Sequence, residues 1–413
     1  MTVIQKEEHF KMLKFRRVSL LVVLSLVLVV LMAACGDPTA TTAPAATTAP
    51  AATTAAPKAT TAAATTTTAA PAATTAAATT TTAAPAATTA PAATTAAAGK
   101  KLKVGLVTDI GRIDDKSFNQ AAYEGIVKAQ KELGVDIKYI ETTDTADYAK
   151  NIKTFLDDKY DIIVTVGFLM GDATIAAAKA NPTVKFIGVD QFQADTIANL
   201  TGTIFEEDKS GFLAGVLAAG MSKSGKIAAV LGTKSVPPVQ RFGEGYKAGA
   251  DYLLKTTPAL VPAGSIATTL TYHADGNTAF NDPVWGSQQS QTLIQAGNDV
   301  IFGAGGNTGN GALEGAAEKG VYVIGVDVDQ YLTVPKAAPK MLSSATKLLT
   351  QSVFDNVKAA MGGSFKGGNF VGGSGLAPFH DQAANIPTAL KDALTKIDAG
   401  LKDGSIKTGV KVG

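Results

Sequence analysis

The feature that most constrains the fold is an alternation of short apolar runs with longer amphipathic segments, which begins at Lys103. The first run, Lys103 to Thr108, predicts a buried strand, and Asn119 to Leu133 repeats apolar residues at helical spacing. A second predicted strand, Asp136 to Glu141, follows that helix. Because strands separated by helices pair in parallel, this alternation predicts doubly wound α/β sheets.

The same alternation continues towards the carboxyl terminus. Further strands are predicted at Asp161 to Val166, Lys185 to Val189, Lys226 to Leu231, Ile266 to Thr271, Asp299 to Gly303 and Val321 to Val326. Further helices are predicted at Tyr148 to Asp157, Asp172 to Ala180, Gly211 to Met221, Gly243 to Leu254, Trp285 to Gln295, Gly311 to Lys319 and Ser344 to Ala359. A segment of about 315 residues exceeds the size of one undivided core, so we expect two lobes with about six strands each.

The amino terminus has the pattern of an export signal. Basic residues between Lys11 and Arg17 precede an apolar run from Val18 to Met32, which is shorter than the ~20 residues a spanning helix needs. Cys35, the only cysteine, follows two alanines in an arrangement that resembles a bacterial lipobox. We therefore expect a signal peptide at 1–34 and a lipid anchor on Cys35 that holds the protein at the extracytoplasmic face of the cell membrane. The alternative is an uncleaved anchor with an incidental cysteine.

Residues 35–100 form a tract of different character. Between Asp37 and Ala98 the residues are almost all Thr, Ala and Pro, and Lys58 carries the only charge after Asp37. Such a tract has no large apolar side chains to bury, so it cannot offset the entropy of ordering its backbone. We expect a disordered tether between the anchor and the folded lobes.

Charge and composition exclude several functional classes. The chain has 37 Lys and Arg residues against 35 Asp and Glu residues, which gives no basic surplus for nucleic acid. After the predicted signal peptide only His273 and His380 remain, with no Cys/His cluster at metal-ligand spacing. Residues 372–376 do not match the Gly-x-Ser-x-Gly nucleophile motif. We therefore expect a non-enzymatic protein without a cofactor or a bound metal.

Several motifs follow the predicted strands. The longest comprises Val104 to Asp109, Ile113 to Gln120 and Tyr123 to Gly125. The others are Val166 to Phe168, Phe186 to Asp190, Gly211 to Gly215, Phe280 to Pro283 and Gly325 to Gln330, with Lys347 further along. Together, from Lys103 to about Gly363, these motifs resemble the basic membrane lipoprotein family, the purine-nucleoside-binding lipoproteins.

The resemblance implies a type I periplasmic-binding-protein-like α/β fold, in which two doubly wound lobes are joined by a hinge. It also implies a solute-binding lipoprotein that gives a small ligand, a purine nucleoside, to an ABC permease. By this analogy we expect one lobe at 101–206 plus about 329–363, and the other at 207–328 plus about 364–413. A sugar-binding protein, a sensory ligand-presenting protein of the same fold and a nucleoside hydrolase are the alternatives.

The resemblance further assigns ligand-binding roles near the carboxyl ends of the strands, where open parallel sheets bind their ligands. The expected ligand-binding residues are Asp109, Phe118, Asn119, Asp190, Phe280, Gly306, Asp327 and Lys347. Phe118 and Phe280 are the candidates for stacking on a base. Asp327 and Lys347 would bind the ribose hydroxyls, since a carboxylate accepts hydrogen bonds and an ammonium donates them.

Each assignment has a structural alternative that follows from the residue type alone. Asp109 and Asn119 are residues that commonly cap helices, and an isolated Phe such as Phe118 or Phe280 commonly packs in a core. Lys347 falls within the predicted helix Ser344 to Ala359, where it would be a solvated lysine.

The glycine-rich run at 303–311 resembles a phosphate-binding loop only superficially. It lacks the Gly-Lys-Ser/Thr ending of a nucleotide P-loop and the spacing of the dinucleotide fingerprint. Glycine here is better explained by a close approach of the backbone to a neutral ligand. The sequence therefore favours a nucleoside over a nucleotide.

Overall fold

The structure is a computed structural model that describes residues 101–412 of the 413-residue chain. The predicted signal peptide, Cys35 and the Thr/Ala/Pro tract lie outside the described residues. The described part falls within one compact unit. Across 101–412, no helix is long and apolar enough to cross a membrane.

Strands and helices alternate along the described chain. The strands are β1 (Lys103–Ile110), β2 (Asp136–Thr142), β3 (Ile162–Val166), β4 (Lys185–Val189), β5 (Leu200–Ile204), β6 (Lys226–Thr233), β7 (Ala267–His273), β8 (Val300–Ala304), β9 (Tyr322–Asp327), β10 (Met341–Lys347), β11 (Gly368–Val371) and β12 (Ser374–Leu376). The α-helices are α1 (Phe118–Leu133), α2 (Tyr148–Asp157), α3 (Gly171–Ala180), α4 (Glu207–Met221), α5 (Pro237–Thr256), α6 (Pro283–Gln295), α7 (Gly306–Glu318), α8 (Gln330–Thr333), α9 (Leu349–Met361) and α10 (Thr388–Asp403).

The strands form two six-stranded sheets, one in each lobe. The strand order is β11-β5-β4-β3-β1-β2 in the first sheet and β12-β10-β9-β8-β6-β7 in the second. Neighbouring strands are parallel, except that β12 pairs antiparallel with β10. The predicted α/β class with two doubly wound parallel sheets is confirmed.

Helices cover both faces of each sheet, so each face carries its own apolar core. In the first lobe, α1 and α9 cover one face and α2 and α3 the other. In the second lobe, α4, α5 and α10 cover one face and α6 and α7 the other. Burial on both faces explains why the strands read as continuous apolar runs rather than as alternating ones.

The chain crosses between the two sheets three times. The crossovers lie between β5 and α4, between β10 and α9 at Leu348, and between β11 and β12 at Gly372-Gly373. Backbone hydrogen bonds join them side by side, since Gly372 N–H donates to the Ile204 carbonyl and Leu348 N–H to the Gly373 carbonyl, each at 2.8 Å. These adjacent segments form the hinge of the two-lobed fold.

The second and third crossovers correct the predicted lobe boundaries. The return segment at about 329–363 was expected in the first lobe, but β10 pairs with β9 in the second sheet, so only the part from Leu349 onwards belongs to the first. Conversely, β11 lies within the predicted second-lobe segment 364–413 but pairs with β5 in the first sheet. Backbone pairing of β10 with β9 and of β11 with β5, rather than sequence order, decides which lobe each strand joins.

Candidate functional site

A cleft lies between the carboxyl ends of the two sheets, where small-molecule sites of open α/β sheets are found. It is lined by all eight residues expected to bind ligand: Asp109, Phe118, Asn119, Asp190, Phe280, Gly306, Asp327 and Lys347. Further lining residues include Asp115, Phe168, Val236, Val239 and Phe242. The fold therefore brings the expected residues together from distant parts of the chain.

Lys347 ends β10 and occupies the base of the cleft beside the hinge. Its ammonium donates to Asp190 Oδ2 at 2.6 Å and lies 3.8 Å from Asp327 Oδ1. The ring centroid of Phe118 is 4.7 Å from the same nitrogen. The alternative to the binding role, in which Lys347 is a solvated lysine on a helix, is wrong, because the residue is almost fully buried at a strand end.

Burial and charge act in opposite directions on this cluster. Burial raises the pKa of Asp190 and of Asp327, and the Lys347 ammonium partly offsets that rise. Burial alone lowers the pKa of Lys347, but the surrounding carboxylates outweigh it, and the net pKa is raised. Lys347 is therefore held as a cation in a closed site.

Asp190 and Asp327 reach this position through the same local conformation. Each follows a Gly-Val pair at the end of an apolar strand, and each has a left-handed backbone, with φ of 59° and 64°. Asp is among the few side chains that adopt this region at modest cost. The turn directs both carboxylates into the cleft, where Ser117 Oγ also donates to Asp327 Oδ2 at 2.6 Å.

Asp109 lies in a different environment, among neutral donors. Its carboxylate accepts hydrogen bonds from the Tyr148 hydroxyl and from the Ile110 N–H. Burial raises the pKa of Asp109 to about 6, although the Tyr148 hydroxyl opposes the rise. A side chain at Gly167 would overlap this carboxylate, so glycine is required there. The helix-cap alternative for Asp109 is wrong, because the residue lies within β1 and its carboxylate bonds Tyr148.

Asp115, rather than Asn119, satisfies the first turn of α1. The Asp115 carboxylate accepts the N–H groups of Ser117, Asn119 and Gln120 at 2.9–3.1 Å. The Asn119 side chain instead accepts the Asp109 N–H at 3.0 Å and donates to Asp115 at 3.1 Å. The capping alternative for Asn119 is therefore wrong, and its amide group is oriented beside Asp109 at the cleft wall.

Four aromatic rings line the cleft from both lobes. Phe118 and Phe168 belong to the first lobe, and Phe242 and Phe280 to the second. Phe280 packs over Gly232, where any side chain would overlap the ring. Phe118 packs against an apolar core of the first lobe and Phe280 against one of the second lobe, and both rings also line the cleft. Packing in a core and a binding role are therefore compatible for both residues.

The glycine-rich run divides into two parts. Gly305 and Gly306 line the cleft, as expected for close approach of a ligand. Gly311 lies inside α7, and a side chain there would overlap the carbonyl of Pro283. This part of the run therefore serves close packing of α7 on α6.

Glu207 is a polar residue near the site that sequence reasoning missed. It begins α4 just after the first crossover, is fully buried, and accepts from Arg241 Nε at 2.7 Å. Its other oxygen lies 3.6 Å from Lys347 Nζ and has no hydrogen-bond partner. Burial raises its pKa and Lys347 opposes the rise. An acidic residue in the first helical turn gives no sequence signal of such burial, because acidic residues are common there on exposed helices.

The cleft has the donor and acceptor chemistry of an organic-ligand site. Among residues 101–412 no cluster of His, Cys, Asp and Glu with the geometry to hold a metal ion is found. The described lining offers carboxylates, an amide and one ammonium for hydrogen bonding, with aromatic and aliphatic surfaces between them. Two lobes around such a cleft define the class of solute-binding proteins.

A solved structure has a similar fold. An ABC transporter solute-binding protein from Aeropyrum pernix K1 superimposes with a TM-score of 0.66 and 24% identity, covering 74% of this chain and 92% of that one. At this identity the likeness shows the fold alone, which is that of the type I solute-binding proteins.

Sequence relatives define the family. The family described as ABC transporter substrate-binding protein PnrA-like matches residues 101–372. The nucleoside-binding protein BmpA of a Lactococcus lactis ABC transporter is 31% identical over 330 residues, 74% of this chain and 88% of that protein. An uncharacterized lipoprotein of Pyrococcus abyssi is 32% identical over 279 residues, 65% of this chain and 66% of that protein. The chain belongs to the PnrA-like family of ABC transporter substrate-binding proteins, which confirms the resemblance stated from the motifs.

Proposed function

We propose that this substrate-binding protein captures a purine nucleoside in the cleft between its lobes and delivers it to an ABC permease. The observation that carries the proposal is the charge of the cleft lining. It contains four carboxylates, those of Asp109, Asp115, Asp190 and Asp327, and one cation, Lys347. An acceptor-rich lining suits a neutral ligand with many N–H and O–H donors and repels a phosphate.

The arrangement of rings and charges supports a nucleoside in particular. Phe118 and Phe280 offer faces from opposite lobes for a flat base, and stacking on a base is worth about 1–3 kcal/mol. Asp327 and Lys347, 3.8 Å apart, combine an acceptor and a donor for a ribose diol. The Lactococcus relative is named as a nucleoside-binding protein, which supports the same ligand class.

The first test is a thermal-shift screen of the full chain against nucleosides, free bases and pentoses. Because a ligand that binds only the folded state stabilises it, a purine nucleoside should raise the melting temperature most. A shift with a pentose but with no nucleoside would instead make the protein a sugar-binding member of the fold.

The second test is a double-mutant cycle between Asp327 and the ribose hydroxyls, measured by calorimetry. With the unmodified chain, 2′,3′-dideoxyadenosine should bind about 10- to 100-fold more weakly than adenosine. In Asp327→Ala the affinities for the two ligands should differ little, because the carboxylate that accepts hydrogen bonds from the ribose hydroxyls is gone. Asp157→Ala, at an exposed pair with Lys153, is the control and should keep the full difference. Simple additivity of the two losses would remove Asp327 from ribose binding.

We also propose that acylated Cys35 holds the protein at the outer face of the cell membrane. The motif that precedes Cys35 and the lipoprotein name of a relative support this location. Cys35→Ser should leave an unprocessed precursor or release the protein from the membrane fraction, because the lipid chains provide the anchoring energy. Unchanged size and fractionation in the mutant would contradict the anchor.

A further inference from the structure

Three side chains of the second lobe bond to two successive carbonyls of the first. Asn310 Nδ2 donates to the Asp115 carbonyl at 2.7 Å. Gln330 Nε2 and Thr333 Oγ1 both donate to the Lys116 carbonyl, at 3.2 and 2.9 Å. The accepting carbonyls lie in the loop between β1 and α1, so these hydrogen bonds join the two lobes directly.

The donors are fixed within the second lobe. Gln330 is fully buried, and its side-chain Oε1 accepts the Val326 N–H at 2.9 Å. The backbone N–H of Gln330 donates to Ser344 Oγ at 3.1 Å. Gln330 Nε2 also donates to Asn310 Oδ1 at 2.8 Å. Because β9 and β10 hold Gln330 from two sides, the donors move with the second sheet as one unit.

The acceptors are equally fixed within the first lobe. The Asp115 carboxylate accepts three N–H groups at the start of α1, which holds the loop against that helix. Lys116 has a left-handed backbone with φ of 59°. The loop therefore presents its two carbonyls to the second lobe in a fixed direction.

The donors of this network do not line the cleft, whereas Asp115, whose carbonyl accepts from Asn310, does. Among the described residues that line the cleft, Asn310, Gln330 and Thr333 are absent. Their hydrogen bonds to the loop need only that the lobes lie close together, and both the donors and the acceptors belong to the protein itself. When the lobes separate, each group would exchange its partner for water.

We propose that Asn310, Gln330 and Thr333 are positioning residues that form an inter-lobe latch. The latch stabilises the closed cleft without ligand and so contributes, with the Ser117–Asp327 and Lys347–Asp190 bonds, to the fraction of molecules in the closed, tight-binding conformation. Apparent affinity is reduced by the fraction of molecules in the binding-competent state, so weakening the latch lowers affinity for every ligand by the same factor. A residue that contacts the ligand would instead change affinity unequally among ligands.

Thr333 offers a matched pair of variants for the test. Thr333→Val removes the hydroxyl at nearly constant shape, and Thr333→Ser keeps it. Loss of one neutral hydrogen bond should shift the ratio of closed to open molecules by roughly 2- to 10-fold. Asn310→Leu should act in the same direction, and thermal unfolding identifies any variant that does not fold.

The primary measurement needs no ligand, so it is independent of the nucleoside proposal. Spin labels at Lys150→Cys in α2 and Lys247→Cys in α5, both exposed, report the distance between the lobes in full-length Cys35→Ser protein. Without ligand, fewer Thr333→Val molecules should show the short label-to-label distances of the closed conformation than molecules that keep Thr333. Thr333→Ser should show the same distance distribution as the protein with Thr333. Identical distance distributions in all three proteins would overturn the latch.

Affinities for two ligands give the second readout. Adenosine and guanosine should each bind Thr333→Val more weakly by one common factor, with Thr333→Ser unchanged. A loss for one nucleoside only would overturn the positioning role, because it would indicate contact with the ligand. If neither nucleoside binds the unmodified protein, the nucleoside proposal fails while the distance measurement still decides the latch.

Discussion

Asp190 and Asp327 share a buried cation at the base of the cleft, whereas Asp109 lies among neutral hydrogen-bond donors. At the base, the Lys347 ammonium opposes the effect of burial on both carboxylates. At Asp109 no ion-pair partner is found among the described residues, and the pKa rises to about 6. One site thus contains carboxylates of two kinds. Those at the base are held by charge, and Asp109 can change its protonation state near neutral pH.

The largest expected effect comes from removing the shared cation. Lys347→Met keeps an apolar stem but leaves Asp190, Asp327 and Glu207 buried without that ammonium. Breaking a buried ion pair costs about 3–5 kcal/mol, so the free energy of unfolding in urea should fall by that amount at pH 8. The loss should shrink as the pH falls, because burial raises the pKa of all three carboxyl groups and protonation removes their unpaired charge. Lys153→Met, at an exposed pair, should change the stability by less than about 1 kcal/mol.

A smaller effect of opposite sign is expected at Asp109. Its pKa is about 6 in the folded protein against an ordinary value of 3.8, so the folded state binds the proton more tightly. Stability therefore falls as the pH rises from about 4 to about 6, and above that range ionised Asp109 costs about 3 kcal/mol or less. Asp109→Asn should accordingly be more stable than the unmodified protein at pH 7.5 by about 1–3 kcal/mol, and equally stable near pH 4.

Urea unfolding over this pH range provides the check, with exposed Asp392→Asn as the control. The control should follow the pH dependence of the unmodified protein, since its carboxylate is in water. If Asp109→Asn were destabilising at every pH, Asp109 would be stabilised as an anion, as Asp190 and Asp327 are. The difference between Asp109 and the carboxylates at the base of the cleft would then disappear.

The smallest effect sharpens the description of Asp109. Tyr148→Phe removes the hydroxyl that donates to the carboxylate and lowers its pKa. At pH 8, where the Asp109 carboxyl is ionised, the free energy of unfolding should fall by about 1 kcal/mol. At pH 5, where the carboxyl is protonated, it should fall by less. Urea unfolding at the two pH values measures the difference, and Tyr139→Phe on the surface should show none. An equal loss at both pH values would mean that the hydroxyl serves packing alone.

The order of strands was largely predictable, because long apolar runs signal burial on both faces of a sheet. The predicted strands from Lys103 to Val326 all occur. The ends of Lys185–Val189 are as predicted, and the other strands differ by one or two residues at one or both ends. β10 was missed because Ser343, Ser344 and Ala345 have little strand preference, and the helical pattern of α9 continues directly from them. Its pairing with β9, which a local pattern cannot reveal, makes it a strand.

Site residues could be predicted where a motif ends a strand. They could not be predicted where a residue's contacts are distant from it in the sequence. Asp109, Asp190 and Asp327 follow apolar runs, so their positions could be inferred from the sequence and the family motifs. The burial of Lys347 depends on carboxylates contributed by separate strands and by α4. Glu207 depends in the same way on Arg241, 34 residues away, which no local pattern connects to it.

The interleaved crossovers have a consequence for how the protein is made. α9 packs on α1 in the first lobe, where Thr350 Oγ1 donates to the Ala121 carbonyl across 229 residues of sequence. Ribosomes add about 5–20 residues per second, so α1 waits on the order of 10–45 s for its partner to be synthesised. During that time its apolar face, including Gly125 and Ile126, has no α9 to cover it. The first lobe therefore cannot complete its apolar core until α9, near the end of the chain, is available to pack on α1.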